Sequence, residues 1–160
     1  MAIDATVGGA SSDSYVTLAE ANTYHDARLH NDEWSDASVP EREKALKWGT
    51  RLLDELDWKG IKWDTDQSLR WPRSDVDDRE GYYFDVDEIP VFLKNALCEL
   101  AWLLLISDPT REDDTKGFHM VKVGPITLQI NASDRSRTIF DSVMATVGPY
   151  VYSGTMMERG

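Results

Sequence analysis

The stretch PVFLKNALCELAWLLLI, residues 90–106, is apolar on most faces of a helical projection. Its polar residues, Lys94, Asn95 and Glu99, are confined to one stripe. Pro90 suits the first turn of a helix, and the Ser-Asp-Pro sequence that follows the stretch stops it. The stretch is too short and too interrupted by charge to span a bilayer. It therefore predicts a buried central helix of a helical domain.

Two further helices are predicted before this stretch, because each begins with the spacing of a capping box. Thr17 and Glu20 have this spacing ahead of an alanine-rich run that ends near Leu29. Ser38 and Glu41 repeat it, with a proline in the first turn. The apolar residues that follow recur at helical spacing and predict one buried face: Ala45, Leu46, Gly49, Leu52, Leu53 and Leu56.

After the central helix, the sequence predicts a hairpin and a short fourth helix. Apolar and polar residues alternate through residues 121–130 on both sides of Gly124-Pro125, which suits a type II′ turn. Residues 138–147 have helix-forming composition, and Gly148 with Pro149 ends them. The predicted fold is mainly α: a bundle of about four helices with a small β-hairpin and a long ordered loop.

The long loop is predicted between the second and third helices, over residues 58–88. The apolar residues there do not recur at helical or strand spacing, and Gly, Pro, Asp and Ser interrupt the chain. Six aromatic residues argue against a disordered linker. Within the loop, QSLRWPR at 67–73 places Trp71 before Pro72, which disfavours a helical backbone for the tryptophan. Such a tryptophan anchors a loop on the core or on a neighbouring subunit, and we predict the core.

Composition limits the classes of function. The 29 acidic and 17 basic residues give a net charge of -12, which opposes generic attraction to nucleic acid and to anionic membranes. The first fourteen residues carry no basic residue and no long apolar run, so they do not resemble a secretory signal, and assembly in the cytosol is expected. The single cysteine, Cys98, has apolar neighbours and is predicted to be a buried small hydrophobe.

Motifs for catalysis or for cofactor binding are missing from the sequence. It has neither a phosphate-binding loop nor a dinucleotide fingerprint, and His25, His30 and His119 do not form an HExxH pattern. Two DxD pairs between residues 75 and 88 could contact a hard cation, but Arg79 and Glu80 break the calcium-loop template. We therefore predict no enzyme, no metal and no cofactor. The carboxylates of this segment are predicted to form an acidic face toward solvent or a channel: Asp75, Asp77, Asp78, Glu80, Asp85, Asp87 and Glu88.

The interleaved tryptophan and arginines of LRWPR raise the possibility of nucleic-acid binding. Aromatic faces and arginines are the usual platform on which the bases of single-stranded DNA stack. The densest acidic run of the chain follows Arg73 directly, whereas a DNA binder should concentrate positive potential. Electrostatics therefore favour a protein partner, with DNA binding as the alternative.

Several segments in order resemble head-to-tail adaptor (connector) proteins of tailed bacteriophages, some of which are labelled DnaT-like single-stranded DNA-binding proteins. The resemblance covers about residues 14–150, and its sharpest parts are Gln67 with Trp71-Pro72-Arg73 and the Ile89-Pro90 entry into the central helix. The segments that carry it are SYVTLAEANTYHDAR, LDELDWKG, QSLRWPR, EIPVFLKNALCELAWLL and VKVGPITLQI.

The resemblance implies a structural virion protein at the head-to-tail interface, assembled in the host cytoplasm. It implies a homo-oligomeric ring, commonly dodecameric, between the portal protein and a stopper or tail-completion protein. Such a ring extends the DNA channel, and its negative charge lets DNA pass without specific binding. No membrane is involved. The alternative is a single-stranded DNA-binding accessory protein.

The domain organisation that follows is a flexible arm over 1–14, a helical adaptor domain over 15–148 and a C-terminal docking tail over 149–160. A frayed end without a role is the alternative for the tail. The residues predicted to contact partners come from the loop and the tail: Trp71, Arg73, Tyr82, Tyr83, Phe84, Tyr150, Tyr152, Met156 and Met157.

Overall fold

A computed structural model describes residues 2–108, 120–123, 126–129 and 141–152. The prediction of a mainly helical fold with a small antiparallel hairpin is confirmed. The elements in chain order are α1 (Leu18–Asp26), α2 (Asp32–Asp36), α3 (Val39–Asp54), β1 (Ile61–Lys62), β2 (Arg73–Ser74), α4 (Val91–Ile106), β3 (Met120–Val123), β4 (Ile126–Gln129), α5 (Asp141–Val147) and a 3-10 turn (Gly148–Tyr150).

Both predicted capping boxes are present. The Thr17 hydroxyl accepts from the backbone N–H of Glu20, and the Glu20 carboxylate accepts from the backbone N–H of Thr17. Ser38 and Glu41 form the same reciprocal pair at the start of α3. Each box satisfies backbone donors that the first turn of a helix leaves free, which is why α1 and α3 begin where the sequence predicts.

Helix α4 is the central element, as predicted. It packs against α1, α2, α3 and α5, and Leu93, Leu97 and Leu100 are fully buried. At Gly49 of α3, an added Cβ would lie 2.8 Å from the Leu97 side chain, so the two helices approach too closely for a larger residue. Cys98 is buried as expected, and burial raises the pKa of its thiol to about 12. Among the described helices, none combines the length and apolarity needed to cross a membrane.

The short helix α2 was not predicted. Its five residues are too few to show a helical period, and α1 ends at Asp26 rather than near Leu29. Tertiary packing fixes this region, because Trp34 of α2 is buried and stacks on His25 of α1 with ring centroids 4.2 Å apart. Burial lowers the pKa of His25 to about 4, so its imidazole is neutral at neutral pH.

The loop over residues 58–88 is ordered, as predicted, and it contains a two-stranded ladder that the sequence did not indicate. Ile61 pairs with Ser74 and Lys62 pairs with Arg73, antiparallel. Two-residue strands are too short for apolar alternation to show. Gly60 turns the chain into β1 with φ +73°, and an added Cβ would lie 2.3 Å from the carbonyl oxygen of Ser74. Only glycine fits this position.

The C-terminal hairpin and helix are also present. Strands β3 and β4 pair in the predicted region, with Val123 opposite Ile126. The turn Gly124-Pro125 and residues 138–140, where the fourth helix was predicted to begin, lie outside the described residues. Helix α5 ends at Val147, and the 3-10 turn follows, in agreement with the predicted stop at Gly148 and Pro149.

The start of the predicted docking tail packs in the core. Tyr150 and Val151 are each 8% exposed, and Val151 bridges to Trp58. The backbone N–H of Lys59 donates to the carbonyl oxygen of Tyr150, and that of Tyr152 donates to Asp57. These backbone bonds close the loop onto the C-terminal segment, so we expect removal of residues 150–160 to lower the stability of the fold.

Candidate functional site

Trp71 is the buried anchor of the long loop, as predicted. It is 1% exposed and lies edge-on to Trp58, Phe92 and Phe84 with ring centroids 5.5, 5.6 and 6.0 Å apart. The peptide bond to Pro72 is cis. Because the ring is enclosed by the same chain, Trp71 is not available to a partner.

The other residues of the QSLRWPR motif hold Trp71 in place. The side-chain amide of Gln67 donates to the carbonyl oxygens of Leu69 and Pro72, and its oxygen accepts from the backbone N–H of Asp64. A buried glutamine with these bonds fixes the path of the loop on both sides of the tryptophan. This explains why Gln67 accompanies Trp71 at a distance of four residues.

A tyrosine–aspartate pair supports the motif: Tyr15, which is buried and precedes α1, and Asp54, the half-buried last residue of α3. The Tyr15 hydroxyl donates to the Asp54 carboxylate and accepts from the backbone N–H of Trp71 at 3.3 Å. Burial raises the pKa of Tyr15 well above its ordinary value and also raises the pKa of Asp54. The backbone N–H of Arg70 donates to both carboxylate oxygens of Asp54. The pair therefore binds the loop backbone rather than a ligand.

Arg73 is buried and makes its hydrogen bonds within the chain. Its guanidinium donates to four backbone carbonyl oxygens: those of Lys59 at 2.7 Å, Gly60 at 2.7 Å, Arg70 at 3.2 Å and Trp58 at 3.3 Å. Burial is the main cause that lowers the pKa of Arg73, although an arginine keeps its charge in proteins. Arg73 thus fastens the two sides of the loop and, like Trp71, is not a partner-binding residue.

A second hairpin follows, and it presents two tyrosines to solvent. Asp78 organises its turn: its carboxylate accepts from the backbone N–H groups of Glu80 and Tyr82, and its own N–H donates to the carbonyl of Tyr82. Tyr82 and Tyr83 are 75% and 74% exposed. Phe84 folds inward, with its ring centroid 5.3 Å from that of Phe92. The hairpin is therefore fixed to the core while both tyrosine rings remain outside.

The hairpin contributes to a surface that we name the aromatic end. Its floor is a set of interlocked rings, those of Trp58, Trp71, Phe84, Phe92 and Tyr150, with neighbouring centroids between 4.0 and 6.4 Å apart. Its exposed rim consists of residues next to, or two positions from, a floor residue in sequence: Tyr82, Tyr83, Val91 and Tyr152. Of the predicted contact residues, Tyr82, Tyr83 and Tyr152 are exposed and lie within two positions of a floor residue in sequence.

Most of the acidic residues of this segment are exposed on the described chain. Six are exposed: Asp75, Asp77, Glu80, Asp85, Asp87 and Glu88. Asp78 is half-buried and used by the turn. Within the described part of the chain, no group of three potential metal-ligating side chains occurs. The aromatic end is thus an apolar surface with an acidic border.

A smaller exposed patch lies on the first ladder, and the sequence analysis did not select it. Ile61 and Trp63 are 64% and 57% exposed. The charges of Lys62 and Arg70 both act on the Asp54 carboxylate, which places these cations beside β1. The sequence signal for this patch is Trp63, which lies between Lys62 and Asp64. It lacks the neighbouring proline and glutamine that hold Trp71 in the core, and this difference indicates an exposed tryptophan. Met156 and Met157 lie outside the described residues.

Comparison with known protein families gives one match over the entire chain. Residues 1–160 match the model of a family described as "Putative DnaT-like ssDNA binding protein". No curated protein and no solved structure matches the chain.

Proposed function

Because the chain belongs to this DnaT-like family, we propose that it works in contact with DNA, as a structural component through which DNA passes. In this proposal it forms a homo-oligomeric head-to-tail adaptor ring between the portal and the stopper of a tailed-phage virion, and the resemblance implies a dodecamer. The ring extends the DNA channel, performs no catalysis and is assembled in the host cytoplasm.

The observation that carries the proposal is the burial of Trp71 and Arg73. These two residues are the ones in the sequence that resemble a base-stacking platform, and both are enclosed by their own chain. A protein that grips single-stranded DNA needs exposed aromatic faces beside exposed cations. The LRWPR motif therefore supports a structural role and does not supply such a platform.

Charge supports the same proposal. The net charge of -12 repels phosphates, and it suits a wall along which DNA slides without being held. Exposed tyrosines with an acidic border also favour contacts with other proteins, because aromatic residues are enriched in protein interfaces.

Single-stranded DNA binding is the second candidate, and the family description favours it directly. The patch of Ile61, Lys62, Trp63 and Arg70 is the part of the described surface that has an exposed tryptophan beside two cations. Stacking of one base on an aromatic ring contributes roughly 1–3 kcal/mol, so this small patch would bind weakly. Asp64 and Asp66 next to it reduce the local positive potential.

A DNA titration separates the two candidates. The purified protein is added to a labelled oligothymidine of about 30 nucleotides, and fluorescence anisotropy is recorded at about 20 mM and about 200 mM salt. The adaptor proposal predicts that the protein does not raise the anisotropy of the oligonucleotide at either salt concentration. Micromolar binding that weakens with salt and is lost in Trp63→Ala with Arg70→Ala would support the second candidate and overturn the first.

Electron microscopy of the purified protein, alone and mixed with portal particles from the source virion, tests whether the protein forms a ring and whether that ring binds the portal. Closed rings, or rings seated on portal particles, are the expected result. Monomers that do not attach to portal particles under any assembly condition would contradict the adaptor role.

A further inference from the structure

We infer that the aromatic end is a docking surface for a protein partner whose facing surface is basic around an apolar centre. This inference rests on the proposed assembly role, and it adds to that role the place of contact and the chemistry of the partner. The residues that carry it are the exposed rim of Tyr82, Tyr83, Val91 and Tyr152.

The backbone beneath the rim is held by packed neighbours of the rim residues. Tyr83 precedes Phe84, Val91 precedes Phe92, and Tyr152 follows the buried Val151. The rings of Phe92 and Tyr150 stack with centroids 4.0 Å apart, so the floor fixes the backbone beneath the rim. Exposed tyrosines on a fixed backbone lose little conformational entropy when they bind, which favours their use as contact residues.

The charge of the border selects the partner. Residues 75–88 contain seven acidic residues and one basic residue, Arg79, and six of the acidic residues are exposed. A partner with lysines or arginines around an apolar centre would match both the carboxylates and the rings. Nucleic acid is disfavoured because its phosphates would face the same carboxylates.

Three exposed apolar residues outside the aromatic end serve as a matched control: Leu29, Val39 and Ile106, which are 82%, 52% and 49% exposed. Ile106 is the last residue of α4, and Val91, which belongs to the rim, is the first. The helix advances about 22 Å between them, so the apolar surface of Ile106 lies at a distance from the rim.

The experiment uses the full chain and a synthetic peptide of about twelve residues rich in arginine and leucine, with binding measured by calorimetry. Two control peptides replace arginine by glutamate or leucine by glycine. The rim variant combines Tyr83→Ser, Val91→Ser and Tyr152→Ser, and the control variant combines Leu29→Ser, Val39→Ser and Ile106→Ser. Circular dichroism checks that each variant is folded.

The expected result is binding of the arginine–leucine peptide that the rim variant weakens by about tenfold or more and the control variant by less than about twofold. The set Asp85→Asn, Asp87→Asn and Glu88→Gln should weaken it more than Asp26→Asn, Asp32→Asn and Asp36→Asn, although both sets change the net charge equally.

Equal losses in the rim and control variants, or equal binding of the glutamate peptide, would overturn the inference. Binding of oligothymidine that the rim variant abolishes would also overturn it, and would assign the surface to nucleic acid. Failure of ring formation with peptide binding intact would instead count against the adaptor role alone, so the two failures are distinguishable.

Discussion

The segments RWPR at 70–73 and GYYF at 81–84 have similar surroundings in the sequence, but the tryptophan of the first is buried and the tyrosines of the second are exposed. Each has aromatic residues near an arginine and close to aspartates. Trp71 is 1% exposed, whereas Tyr82 and Tyr83 are about three-quarters exposed. The difference lies in their partners: Gln67, Tyr15 and Asp54 bind the backbone around Trp71, while the turn at Asp78 satisfies its own backbone. Burial follows the hydrogen-bond partners that a segment finds elsewhere, and local composition does not determine it.

The largest effect expected from this comparison is the loss of the buried ring. Trp71→Ala removes the ring on which Trp58, Phe84 and Phe92 pack, and it should lower the free energy of unfolding by about 3–5 kcal/mol. Chemical denaturation measures this directly. Unchanged stability together with lost ring formation would move Trp71 from the core to a subunit contact.

The second prediction compares two buried basic side chains, a charged arginine and a neutral histidine. Arg73 donates to four carbonyls, whereas neither imidazole nitrogen of His25 makes a hydrogen bond of ordinary geometry within the described residues. Because burial lowers the pKa of His25 from 6.5 to about 4, the unfolded chain binds more protons between these values. Stability should therefore be complete above about pH 6.5 and fall by roughly 3 kcal/mol as the pH drops to about 4.

Carboxylates also titrate in this range, so the measurement needs a variant that removes the imidazole alone. The pH dependence of unfolding is compared between the wild type and His25→Phe, which keeps a ring beside Trp34. The slope between pH 6.5 and 4 should become shallower in the variant. Arg28, Arg42 and Glu99 also act on His25, and they are unchanged in both proteins. Identical slopes would contradict the assignment.

The third prediction concerns Arg73. Arg73→Met keeps most of the stem volume but leaves the carbonyls of Trp58, Lys59, Gly60 and Arg70 without their donor. We expect a loss of about 2 kcal/mol in unfolding free energy. Arg70→Met is the matched control, since Arg70 is exposed, donates to Asp54 through its backbone N–H, and its side chain acts on that carboxylate through charge alone. Equal effects of the two substitutions would show that Arg73 is not the fastening residue.

The smallest effect is expected at the exposed tyrosines. Tyr82→Ser and Tyr83→Ser should each change the unfolding free energy by less than about 0.5 kcal/mol, because their side chains are outside the core. Thermal melting of both variants checks this. A loss comparable to that of Trp71→Ala would mean that the tyrosines pack against the fold and are not free for a partner.

The sequence predicted what depends on local signals. Three such features are present in the structure: the two capping boxes, the apolar length of α4 and the hairpin near residues 121–130. Each depends on residues that are close together in the sequence. The burial of Trp71 was also predicted, because an aromatic residue held in a loop needs a site in the core.

Features that depend on distant contacts were not predictable in the same way. Helix α2 depends on the packing of Trp34 against His25, and the β1–β2 ladder depends on pairing across ten intervening residues. Tyr150 was predicted in a docking tail because its sequence neighbours look like a terminal segment, but it packs on Phe92. Arg73 was predicted to contact a partner, because the sequence does not show that its guanidinium binds carbonyl oxygens of its own chain. Those hydrogen bonds form only when the loop is folded.

The central claim is that the RWPR segment is internal and that partners contact the aromatic end. Hydroxyl-radical footprinting with mass spectrometry tests it, on the free protein and with oligothymidine added. We predict that Trp71 and Tyr150 stay protected in both samples, while Trp63, Tyr82 and Tyr83 are oxidised equally with and without DNA. Oxidation of Trp71 in the free protein, with protection when DNA is added, would contradict the account.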